Sequence, residues 1–458
     1  MITPEQLRIT ELGPREIASP IPLSRETGDG IGDYVDDSAR VLVHIEMRDG
    51  EETDSSLCFE KAGPRARLYF RPQYCRAAIV TCGGLSPGLN NVIRSVHNEL
   101  YYHYGLKDIL GIRNGFQGLN PASGLTPVEL DPELVSNIHK LGGTVLGSSR
   151  GPQDPKVMVD YLCSLGVNML FCVGGDGTQR GAHTIAQEAL RQGAPLAVVG
   201  IAKTIDNDIH FVQRSFGFAT ALEKAKEVLD GAHVEAKCAP NGLAIVKLMG
   251  RNAGFIAAGA TIASQEVNCT LIPELPFEVD GPDGLLAFLK KRILRKAHAV
   301  LVVAEGAGQD LFESARDARD ASGNQKLHDV GVFLRDRIRE YFDAEGVPIA
   351  IKYFDPSYLI RSVPANSADS VLCDQMARMA VHAAVAGKTD MLIGYLHNYF
   401  VHVPIPAAVR SKKHLNPEGD LWMAVIATTG QPARLGGIGK PFGTAGDLED
   451  AKVGGSEF

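Results

Sequence analysis

The chain has 458 residues, of which 45% are hydrophobic and 22% are charged, and its formal net charge is −8 at pH 7. This length is enough for two or three domains with a large buried core. The acidic balance argues against nucleic acid or an anionic membrane as partner of the whole chain. No apolar run approaches the roughly 20 residues of a membrane span, so we expect no membrane association.

The cellular location is predicted from two features. The start, MITPEQLRIT, lacks the basic and apolar regions of a signal peptide. Eight cysteines are scattered along the chain without any CxxC spacing, which is typical of reduced thiols and not of disulfides or a zinc site. Both features predict a cytoplasmic protein.

The two ends of the chain differ in pattern from its middle. Residues 1–73 contain one strand-like run, VLVHIEM, between acidic and turn-rich segments. They predict a small N-terminal extension that packs on the main body. Residues 435–458 are rich in glycine and acidic residues, which predicts a flexible tail.

From residue 77 onward, apolar runs alternate with segments of helical periodicity. The apolar runs are AAIVT, DILGI, VNMLFCV, PLAVVGIA, GLAIVKLMG, AHAVLVVA and VPIAIKYF. In LLAFLKKRILRK, a single helical stripe would contain Leu285, Leu286, Leu289 and Ile293. Continuous apolar strands that alternate with helices predict an α/β fold whose parallel sheets are covered on both faces.

The first polar cluster follows a predicted strand. TCGGLSPGLN places Gly83, Gly84 and Gly88 between a strand and a helix. Glycines let the backbone approach an anion, and a helix start supplies N–H groups and a positive dipole. Plain tight turns use glycine in the same way, and the spacing matches neither the dinucleotide fingerprint nor the Walker loop. This loop is therefore a weak signal of phosphate binding by itself.

A second strand ends in VGGDGTQRG, residues 173–181. Its glycines would offer backbone amides to phosphates, and Asp176 would offer a carboxylate to Mg²⁺, which takes one or two carboxylates beside phosphate oxygens. In the alternative, Asp176 is only a helix N-cap. That alternative explains the aspartate but not the three surrounding glycines, so the pattern favours phosphate binding.

A third strand ends in KTIDND, residues 203–208. In extended backbone, Asp206 and Asp208 point to the same side because side chains alternate along a strand. Two close carboxylates suit a divided task, in which one acts as a base and the other lies near a metal. An acidic surface turn explains this hexapeptide equally well.

Several charged residues also lie at predicted strand ends or beside glycine and proline. Arg150, Arg251 and Arg361 could bind phosphoryl groups in a bidentate manner, although an isolated arginine is usually a solvated surface charge. Lys352 precedes Arg361 in the same stretch, and Glu305 ends the run VLVVAEG. Glu305 could accept hydrogen bonds from hydroxyl groups or cap a helix. The histidines have no metal-ligand spacing.

Taken in order, GGDGT, TIDND, MGR, the strand-end glutamate and the arginine after DPSY resemble the 6-phosphofructokinases. TCGGLSPGLN resembles the first phosphate loop of that family, and the resemblance covers roughly residues 75–430. KTIDND, VKLMGRNAGF and KYFDPSYLIR are most similar to the long-chain branch. That branch is related to the pyrophosphate-dependent enzymes and includes ATP-dependent members from trypanosomatids, plants and some bacteria.

The resemblance implies two Rossmann-like parallel-sheet domains with the active site in the cleft between them. Residues 74–216 with about 362–400 would form a nucleotide-binding domain. Residues 217–361 with about 401–434 would form a sugar-phosphate domain. The family further implies an allosteric, cytoplasmic enzyme of glycolysis that assembles as a homotetramer or dimer.

The resemblance also implies the reaction, a Mg²⁺-dependent transfer of the ATP γ-phosphoryl group to the 1-hydroxyl of fructose 6-phosphate. Asp206 would accept the hydroxyl proton, Arg150 and Lys203 would act on the transferred phosphoryl group, and the metal ligands would be Asp176 and Asp208. The nucleotide ligands would be Gly84, Arg150, Gly174, Gly175, Asp176, Gly177, Thr178 and Gln179. The sugar-phosphate ligands would be Thr204, Asp206, Asp208, Met249, Gly250, Arg251, Glu305, Lys352, Tyr358 and Arg361.

Two positions bear on the phosphoryl donor. Pyrophosphate-dependent relatives typically have aspartate at position 177, where it opposes the α-phosphate of a nucleotide, whereas Gly177 leaves room for ATP. Lys203 is the residue of the pyrophosphate type. The ATP-using long-chain branch combines both features, so ATP is the expected donor and pyrophosphate the alternative. At Gly242 and at Leu85-Ser86, this sequence differs from the shorter ATP enzymes. The allosteric effectors and subunit contacts of those enzymes are therefore not transferred to this chain.

Two further functions compete with this interpretation. GGDGT also occurs in NAD kinases and lipid kinases, which predicts an NAD kinase-like enzyme as an alternative. TIDND with the downstream MGR and DPSYLIR favours fructose 6-phosphate as the acceptor. A non-catalytic nucleotide-sensing subunit is the other alternative, and the presence of Asp176, Asp206 and Asp208 argues against it.

Overall fold

The computed structural model describes residues 2–26, 28–47, 54–312 and 326–436. The chain divides into two compact units. The larger unit comprises residues 1–204, 209–217 and 362–411, and the smaller unit comprises residues 205–208, 218–361 and 412–458. The predicted flexible tail lies, from residue 437, outside the described residues. Within the described residues, no helix has both the length and the hydropathy that crossing a membrane requires.

Each predicted apolar run contains a strand, and the structure adds further strands that these runs did not predict. In chain order they are β1 (Thr10–Glu11), β2 (Ile17–Ala18), β3 (Arg40–Leu42), β4 (Cys58–Lys61), β5 (Arg67–Leu68), β6 (Arg76–Thr81), β7 (Asp108–Ile112), β8 (Val128–Glu129), β9 (Val167–Gly174), β10 (Ala197–Ala202), β11 (Gly242–Leu248), β12 (Cys269–Leu271), β13 (His298–Ala304), β14 (Ala350–Phe354), β15 (Lys388–Thr389), β16 (Met391–Leu396) and β17 (Tyr399–Pro404).

The α-helices occupy most of the segments between these strands. They are α1 (Leu89–Asn98), α2 (Pro132–Val135), α3 (Pro155–Ser164), α4 (Asp176–Gln192), α5 (Phe218–Cys238), α6 (Phe255–Ser264), α7 (Leu285–Lys296), α8 (Val330–Ala344), α9 (Ser367–Val385), α10 (Ile405–Ala408) and α11 (Asp420–Thr429). A π-helical turn, Glu99–His103, continues α1. Short 3-10 helices cover Pro4–Leu7, Pro72–Tyr74, Gly115–Leu119, Pro121–Ser123, Ile138–Lys140 and Gln309–Leu311.

The larger unit is built on a nine-stranded sheet in the order β3-β4-β17-β16-β10-β9-β6-β7-β8. Its five inner strands, from β16 to β7, run parallel to one another, whereas the outer strands pair antiparallel. All six residues of β10 are buried, as expected for a strand with helices on both faces of its sheet. The predicted parallel α/β sheet is therefore confirmed in this unit.

The first 73 residues contribute strands to the larger unit. β3 and β4 extend the sheet beyond β17, and β1 pairs with β15. The ammonium group of Lys388, whose side chain is 2% exposed, contacts Glu11 at 2.8 Å and Glu60 at 2.6 Å. A buried ion pair of this kind is costly unless both partners are present. The N-terminal segment therefore supplies carboxylates that the buried Lys388 requires.

In its described residues, the smaller unit contains four parallel strands in the order β12-β13-β11-β14. Alternate residues of β11 enter two different cores. Ala244 and Val246 pack in a cluster with residues of α5, α6 and α11, whereas Leu243 and Ile245 pack in a cluster with residues of α7 and α8. Both faces of the sheet are thus covered, which confirms the prediction from the continuous apolar runs.

The predicted stripe of α7 is also confirmed. Leu285, Leu286, Leu289 and Ile293 are all buried, whereas Leu294 on the same helix is 64% exposed. Residues three and four positions apart lie on one face of a helix. The stripe therefore anchors α7 in the core of the smaller unit.

This packing yields a prediction for α7. We expect Leu289→Ala to lower the free energy of unfolding by about 2–5 kcal/mol, because it leaves a cavity in the core. Leu294→Ala makes the same chemical change on the exposed face of the helix and should alter it by less than about 0.5 kcal/mol. Urea denaturation followed by far-UV circular dichroism measures both values. Equal effects of the two variants would contradict the packing of this helix.

Candidate active site

In the larger unit, the predicted phosphate-binding loops follow three adjacent strands. β10, β9 and β6 are parallel neighbours in the sheet, so the segments that follow them emerge at one edge. The loop after β6 contains Gly84, the turn after β9 contains Gly175, and Lys203 follows β10. Ligands of open α/β sheets bind at this edge. The fold therefore brings the three loops together.

Lys203 links two of these loops. Its ammonium group donates a hydrogen bond to the carbonyl oxygen of Gly84 at 2.6 Å, and its backbone N–H donates to Gly174 at 3.0 Å. The residue is buried, with 6% of its surface exposed. Lys203 therefore places a positive charge beside the first loop and fixes that loop to the end of β9.

Arg150 lies at the end of a segment that contacts the first loop. The Ser148 hydroxyl donates to the carbonyl oxygen of Gly83 at 2.6 Å, and the N–H of Gly83 donates to the carbonyl of Ser149 at 3.1 Å. These two bonds hold the segment beside the glycine loop, and Arg150 follows them with an exposed side chain. An exposed guanidinium at this edge can reach an anionic ligand.

The GGDGT stretch forms the start of α4. Its N-cap residue is Gly175, and Asp176 is the first helical residue, so the interpretation of Asp176 as a mere N-cap is wrong. A Cβ atom at Gly174 would lie 2.1 Å from the hydroxyl of Thr178, which excludes any larger residue there. A Cβ atom at Gly177 would meet no atom within 4 Å. The 17-residue helix thus directs its positive dipole end and open backbone amides toward this edge.

Gln179, the last of the predicted nucleotide ligands, lies behind this surface. Its side chain is fully buried, and its amide nitrogen donates to the carbonyl oxygens of Gly174 at 3.0 Å, Cys172 at 3.4 Å and Ile201 at 3.4 Å. These contacts tie α4 to the ends of β9 and β10. Its side chain therefore supports the strands that carry the loops.

Residues 205–208 belong to the smaller unit, where Asp208 is held by a lysine. Asp208 is buried, and its carboxylate accepts a hydrogen bond from the ammonium group of Lys412 at 2.7 Å. The backbone N–H of Lys413 donates to the carbonyl oxygen of Asp208 at 3.0 Å. Nothing in the sequence pattern indicated Lys412, which stands 204 positions after Asp208 and outside every motif.

Asp206 has an altered acidity. Burial, followed by the negative charges of Asp208 and Glu305, raises the pKa of Asp206 to about 7, although Lys412 and the backbone N–H of Arg251 oppose the shift. Charge repulsion between neighbouring carboxylates and the cost of burying an anion are the ordinary causes of such a shift. A carboxylate with a pKa near neutrality is a stronger base than a solvated one, which suits proton abstraction.

The MGR segment and Glu305 meet at the ends of β11 and β13. The N–H of Glu305 donates to Leu248 at 2.9 Å, and the N–H of Gly306 donates to Gly250 at 3.1 Å. Gly250 has φ = +136°, a conformation that L side chains rarely adopt. Burial raises the pKa of the Glu305 carboxyl, and the cations Arg251, Lys247 and Arg361 oppose the shift. Asp206, Arg251 and Glu305 are therefore brought together in the smaller unit.

Three further predicted sugar-phosphate ligands divide into two groups. Tyr358 is 74% exposed, and the Arg361 guanidinium lies 4.9 Å from the centre of its ring. Lys352 instead pairs with Ala244 in the register of β14 and β11, four residues or about 13 Å before the end of β11. Its ammonium group lies 3.7 Å from Glu235 of α5. Lys352 is thus not brought to the strand ends where Arg251 and Glu305 lie.

A buried carboxylate that the sequence analysis missed connects two segments of this site. Glu274 is buried and accepts hydrogen bonds from the N–H of Gly254 at 2.9 and 3.1 Å and from the N–H of Leu415 at 2.8 Å. Gly254 is the N-cap of α6 and follows the segment that carries Arg251. Leu415 follows Lys412. Glu274 therefore joins the two segments that contact the aspartates.

The predicted Mg²⁺ ligands have suitable chemistry. Carboxylate oxygens are the hard donors that Mg²⁺ prefers, with phosphate oxygens and water completing its coordination. Asp176 is half-buried in the first turn of α4, and Asp208 places its carboxylate next to a cation. Asp176 belongs to the larger unit and Asp208 to the smaller one, and their joint binding of Mg²⁺ remains a prediction.

Glycine loops at a helix start in one unit, with carboxylates and an arginine at strand ends in the other, are the parts from which an α/β phosphotransferase is built. The family comparison identifies the class further. The phosphofructokinase family matches residues 76–384, which is more than half of the chain. The chain belongs to the phosphofructokinase family, and the predicted resemblance is confirmed.

Similar proteins have been named in bacteria and a trypanosome. The ATP-dependent 6-phosphofructokinase of Borreliella burgdorferi is 46% identical over 415 residues, which cover 89% of this chain and 93% of that protein. The ATP-dependent 6-phosphofructokinase of Amycolatopsis methanolica is 46% identical over 95% of this chain and 96% of its own length. The enzyme of the same name from Trypanosoma brucei brucei is 46% identical over 82% of this chain and 77% of its own length.

Solved structures are similar in fold. A pyrophosphate-dependent phosphofructokinase from Marinobacter aquaeolei has a TM-score of 0.64 and 20% identity, over 81% of this chain and 94% of that chain. A phosphofructokinase from Saccharomyces cerevisiae has a TM-score of 0.62 and 22% identity, over 84% of this chain. This chain spans about half, 49%, of the length of the yeast chain. Both likenesses confirm the predicted α/β fold.

The buried Glu274 yields a prediction for the pH dependence of stability. Burial raises the pKa of Glu274 from 4.5 to about 7, although the N–H groups of Gly254 and Leu415 oppose the shift. The folded chain therefore binds more protons than the unfolded chain between these values, and its stability falls as pH rises through them. The glutamine in Glu274→Gln does not titrate. We therefore expect the free energy of unfolding of this variant, minus that of wild type, to rise by about 2–3 kcal/mol from pH 5 to pH 8.

Urea denaturation at several pH values measures this difference, and Glu345→Gln is the control. Lys290 holds the pKa of the exposed Glu345 carboxyl below its usual value. Its unfolded pKa is about 4.5, so the stabilisation by its native charge is complete above about pH 5, and the difference between this variant and wild type should stay constant from pH 5 to pH 8. A difference between Glu274→Gln and wild type that stays constant with pH would show that Glu274 does not titrate in this range.

Proposed function

We propose that the chain transfers the γ-phosphoryl group of ATP to the 1-hydroxyl of fructose 6-phosphate. The observation that carries this proposal is the grouping of Asp206, Asp208, Arg251 and Glu305 in the smaller unit, where a carboxylate with a raised pKa lies among groups that suit a sugar phosphate. The names of relatives that are 46% identical support both the acceptor and the donor. A coupled assay of the purified chain with fructose 6-phosphate and either ATP or pyrophosphate tests the proposal directly.

On the acceptor side, each group has a defined task. Asp206 takes the proton from the 1-hydroxyl as the oxygen attacks phosphorus, which a base with a pKa near neutrality does efficiently. Arg251 and Arg361 bind the 6-phosphate, because a guanidinium forms bidentate hydrogen bonds with phosphate oxygens. Glu305 accepts hydrogen bonds from sugar hydroxyls. Together these contacts orient the acceptor, and orientation is a large part of phosphoryl-transfer catalysis.

On the donor side, the glycine loops bind the phosphates of ATP. Backbone amides at Gly84, Gly175 and Gly177 and the positive end of α4 lie at one sheet edge, where they favour anions. Arg150 and Lys203 add positive charge, which spreads the negative charge of the transferring group. Mg²⁺, when bound to Asp176 and Asp208, supplies further positive charge to the phosphoryl oxygens.

A cytoplasmic location and homo-oligomeric assembly, as a tetramer or dimer, belong to the same proposal.

The first kinetic prediction concerns the general base. We expect Asp206→Ser to lower kcat by about 10²–10⁴-fold, because serine cannot accept the proton, with little change in the binding of fructose 6-phosphate. Steady-state kinetics measure kcat, and isothermal titration measures the binding of the sugar phosphate. Asp336→Ser, which removes an exposed carboxylate of α8, is the matched control. An Asp206→Ser variant with most of its kcat intact would remove Asp206 from this role.

The second kinetic prediction concerns the donor. We expect Gly177→Asp to lower kcat/KM for ATP by at least about tenfold through charge repulsion at the nucleotide phosphates. The space around a Cβ atom at position 177 is open, so the aspartate side chain should not disturb the fold, and a loss of activity can be assigned to its charge. Gly231→Asp, another helical position with open space around the Cβ atom, is the control. Unchanged ATP turnover in Gly177→Asp would mean that this position does not face the nucleotide.

A further inference from the structure

Residues 412–415, hereafter the 412–415 segment, contact Asp208 in the smaller unit but have no role in the function proposed above. Their sequence is Lys-Lys-His-Leu, and the segment follows the larger unit's last residues along the chain. Each residue of the segment takes part in a hydrogen bond to the surroundings of Asp206 and Asp208. The segment therefore belongs to the structure of the site.

The first two residues of the segment bind Asp208. The ammonium group of Lys412 donates to the Oδ2 atom of Asp208 at 2.7 Å, and the side chains are 33% and 6% exposed. The N–H of Lys413 donates to the carbonyl oxygen of the same aspartate at 3.0 Å. One bond fixes the carboxylate and the other fixes the backbone, so the orientation of Asp208 depends on the position of this segment.

The last two residues of the segment bind the loop that carries Arg251. His414 contacts the carbonyl oxygen of Asn252 through its Nδ1 atom at 2.8 Å, and the N–H of Leu415 donates to Glu274 at 2.8 Å. Glu274 also accepts from the N–H of Gly254. The N–H of Arg251 in turn lowers the pKa of Asp206 through a hydrogen bond. The two aspartates, the Arg251 loop and the segment thus form one hydrogen-bonded frame.

Charge gives Lys412 a role beyond this frame. Asp208 and Glu305 are close enough to Asp206 to raise its pKa. The three carboxylates therefore repel one another. A charge-assisted hydrogen bond from an ammonium group is stronger than a neutral one. It restricts the rotation of the buried Asp208 carboxylate and offsets part of the repulsion within the group.

We propose that Lys412 is a positioning residue, which holds the carboxylate of Asp208 in the orientation that phosphoryl transfer needs. This inference depends on the proposed phosphofructokinase function. Lys412 does not contact the substrate in this role. It acts through Asp208, and its loss should therefore reduce the rate of the chemical step more than the binding of the sugar phosphate. Residues that support a catalytic ligand in this way typically contribute about 10–100-fold.

The test compares wild type with Lys412→Met, which keeps the aliphatic stem and removes the ammonium group. We expect kcat with ATP and fructose 6-phosphate to fall by about 10–100-fold. The KM for fructose 6-phosphate should change by less than about threefold, and so should its Kd measured by isothermal titration without nucleotide or Mg²⁺. Lys412→Arg should recover at least about tenfold of the lost kcat, because a guanidinium also binds a carboxylate.

Lys290→Met is the matched control. Lys290 lies in the same unit, its side chain is 28% exposed, and it forms an ion pair with Glu345 at the same distance of 2.7 Å. It has no role in the proposed function. We expect it to leave kcat unchanged within about twofold, because exposed ion pairs contribute little to stability. If Lys412→Met does not fold, Lys412→Gln, which keeps a hydrogen-bond donor and loses the charge, takes its place with the same expectation.

The outcomes separate this inference from the function on which it depends. A wild-type chain that is inactive with both ATP and pyrophosphate would refute the proposed function. An active wild type with a Lys412→Met kcat within about threefold of its own would refute the role of Lys412 alone. A loss of sugar-phosphate binding as large as the loss of kcat, or an arginine variant as impaired as the methionine variant, would likewise overturn positioning through Asp208.

Discussion

The site depends on the confinement of several negative charges in a small volume of the smaller unit. Burial and the negative charges of Asp208 and Glu305 together raise the pKa of Asp206 to about 7. Carboxylates placed so close repel one another unless cations and N–H groups surround them. Lys412 and the backbone of Arg251 provide this compensation. The same burial and repulsion that destabilise the loop make the Asp206 carboxylate more basic, so this basicity follows from an arrangement that the fold must hold in place.

Backbone groups hold much of this arrangement of carboxylates in place. Gly250, with φ = +136°, turns the chain so that the N–H of Arg251 is directed at Asp206. Glu274 accepts hydrogen bonds from the N–H groups of Gly254 and Leu415. Burial nevertheless makes ionisation of its carboxyl group costly. A buried acid is retained at such a position when several N–H groups need an acceptor, because an unsatisfied buried N–H is also costly. The segments that carry Arg251 and Lys412 are therefore connected through one internal carboxylate.

The sequence predicted those features that local patterns determine. Continuous apolar runs became parallel strands, Leu289 and its neighbours on α7 became buried, and the GGDGT glycines fell at a helix start. Features that depend on contacts between distant residues were not predictable. Lys412 is 204 positions from Asp208, and no periodicity connects them. Lys352 entered the predicted site through a family pattern, but the register of β14 places it opposite Ala244 instead of at the strand end, and register is set by the packing of the whole sheet.

Gly242 restricts where the smaller unit can carry positive charge. This position, nine residues before the MGR arginine, is one at which the chain departs from the shorter ATP enzymes that it resembles. In this chain, a Cβ atom at Gly242 would lie 1.9 Å from the carbonyl oxygen of Ala236, so no side chain fits there without moving α5 away from β11. The positive charge of the smaller unit must therefore come from other positions. Lys412 forms an ion pair with Asp208, and the charges of Arg251 and Arg361 act on Glu305.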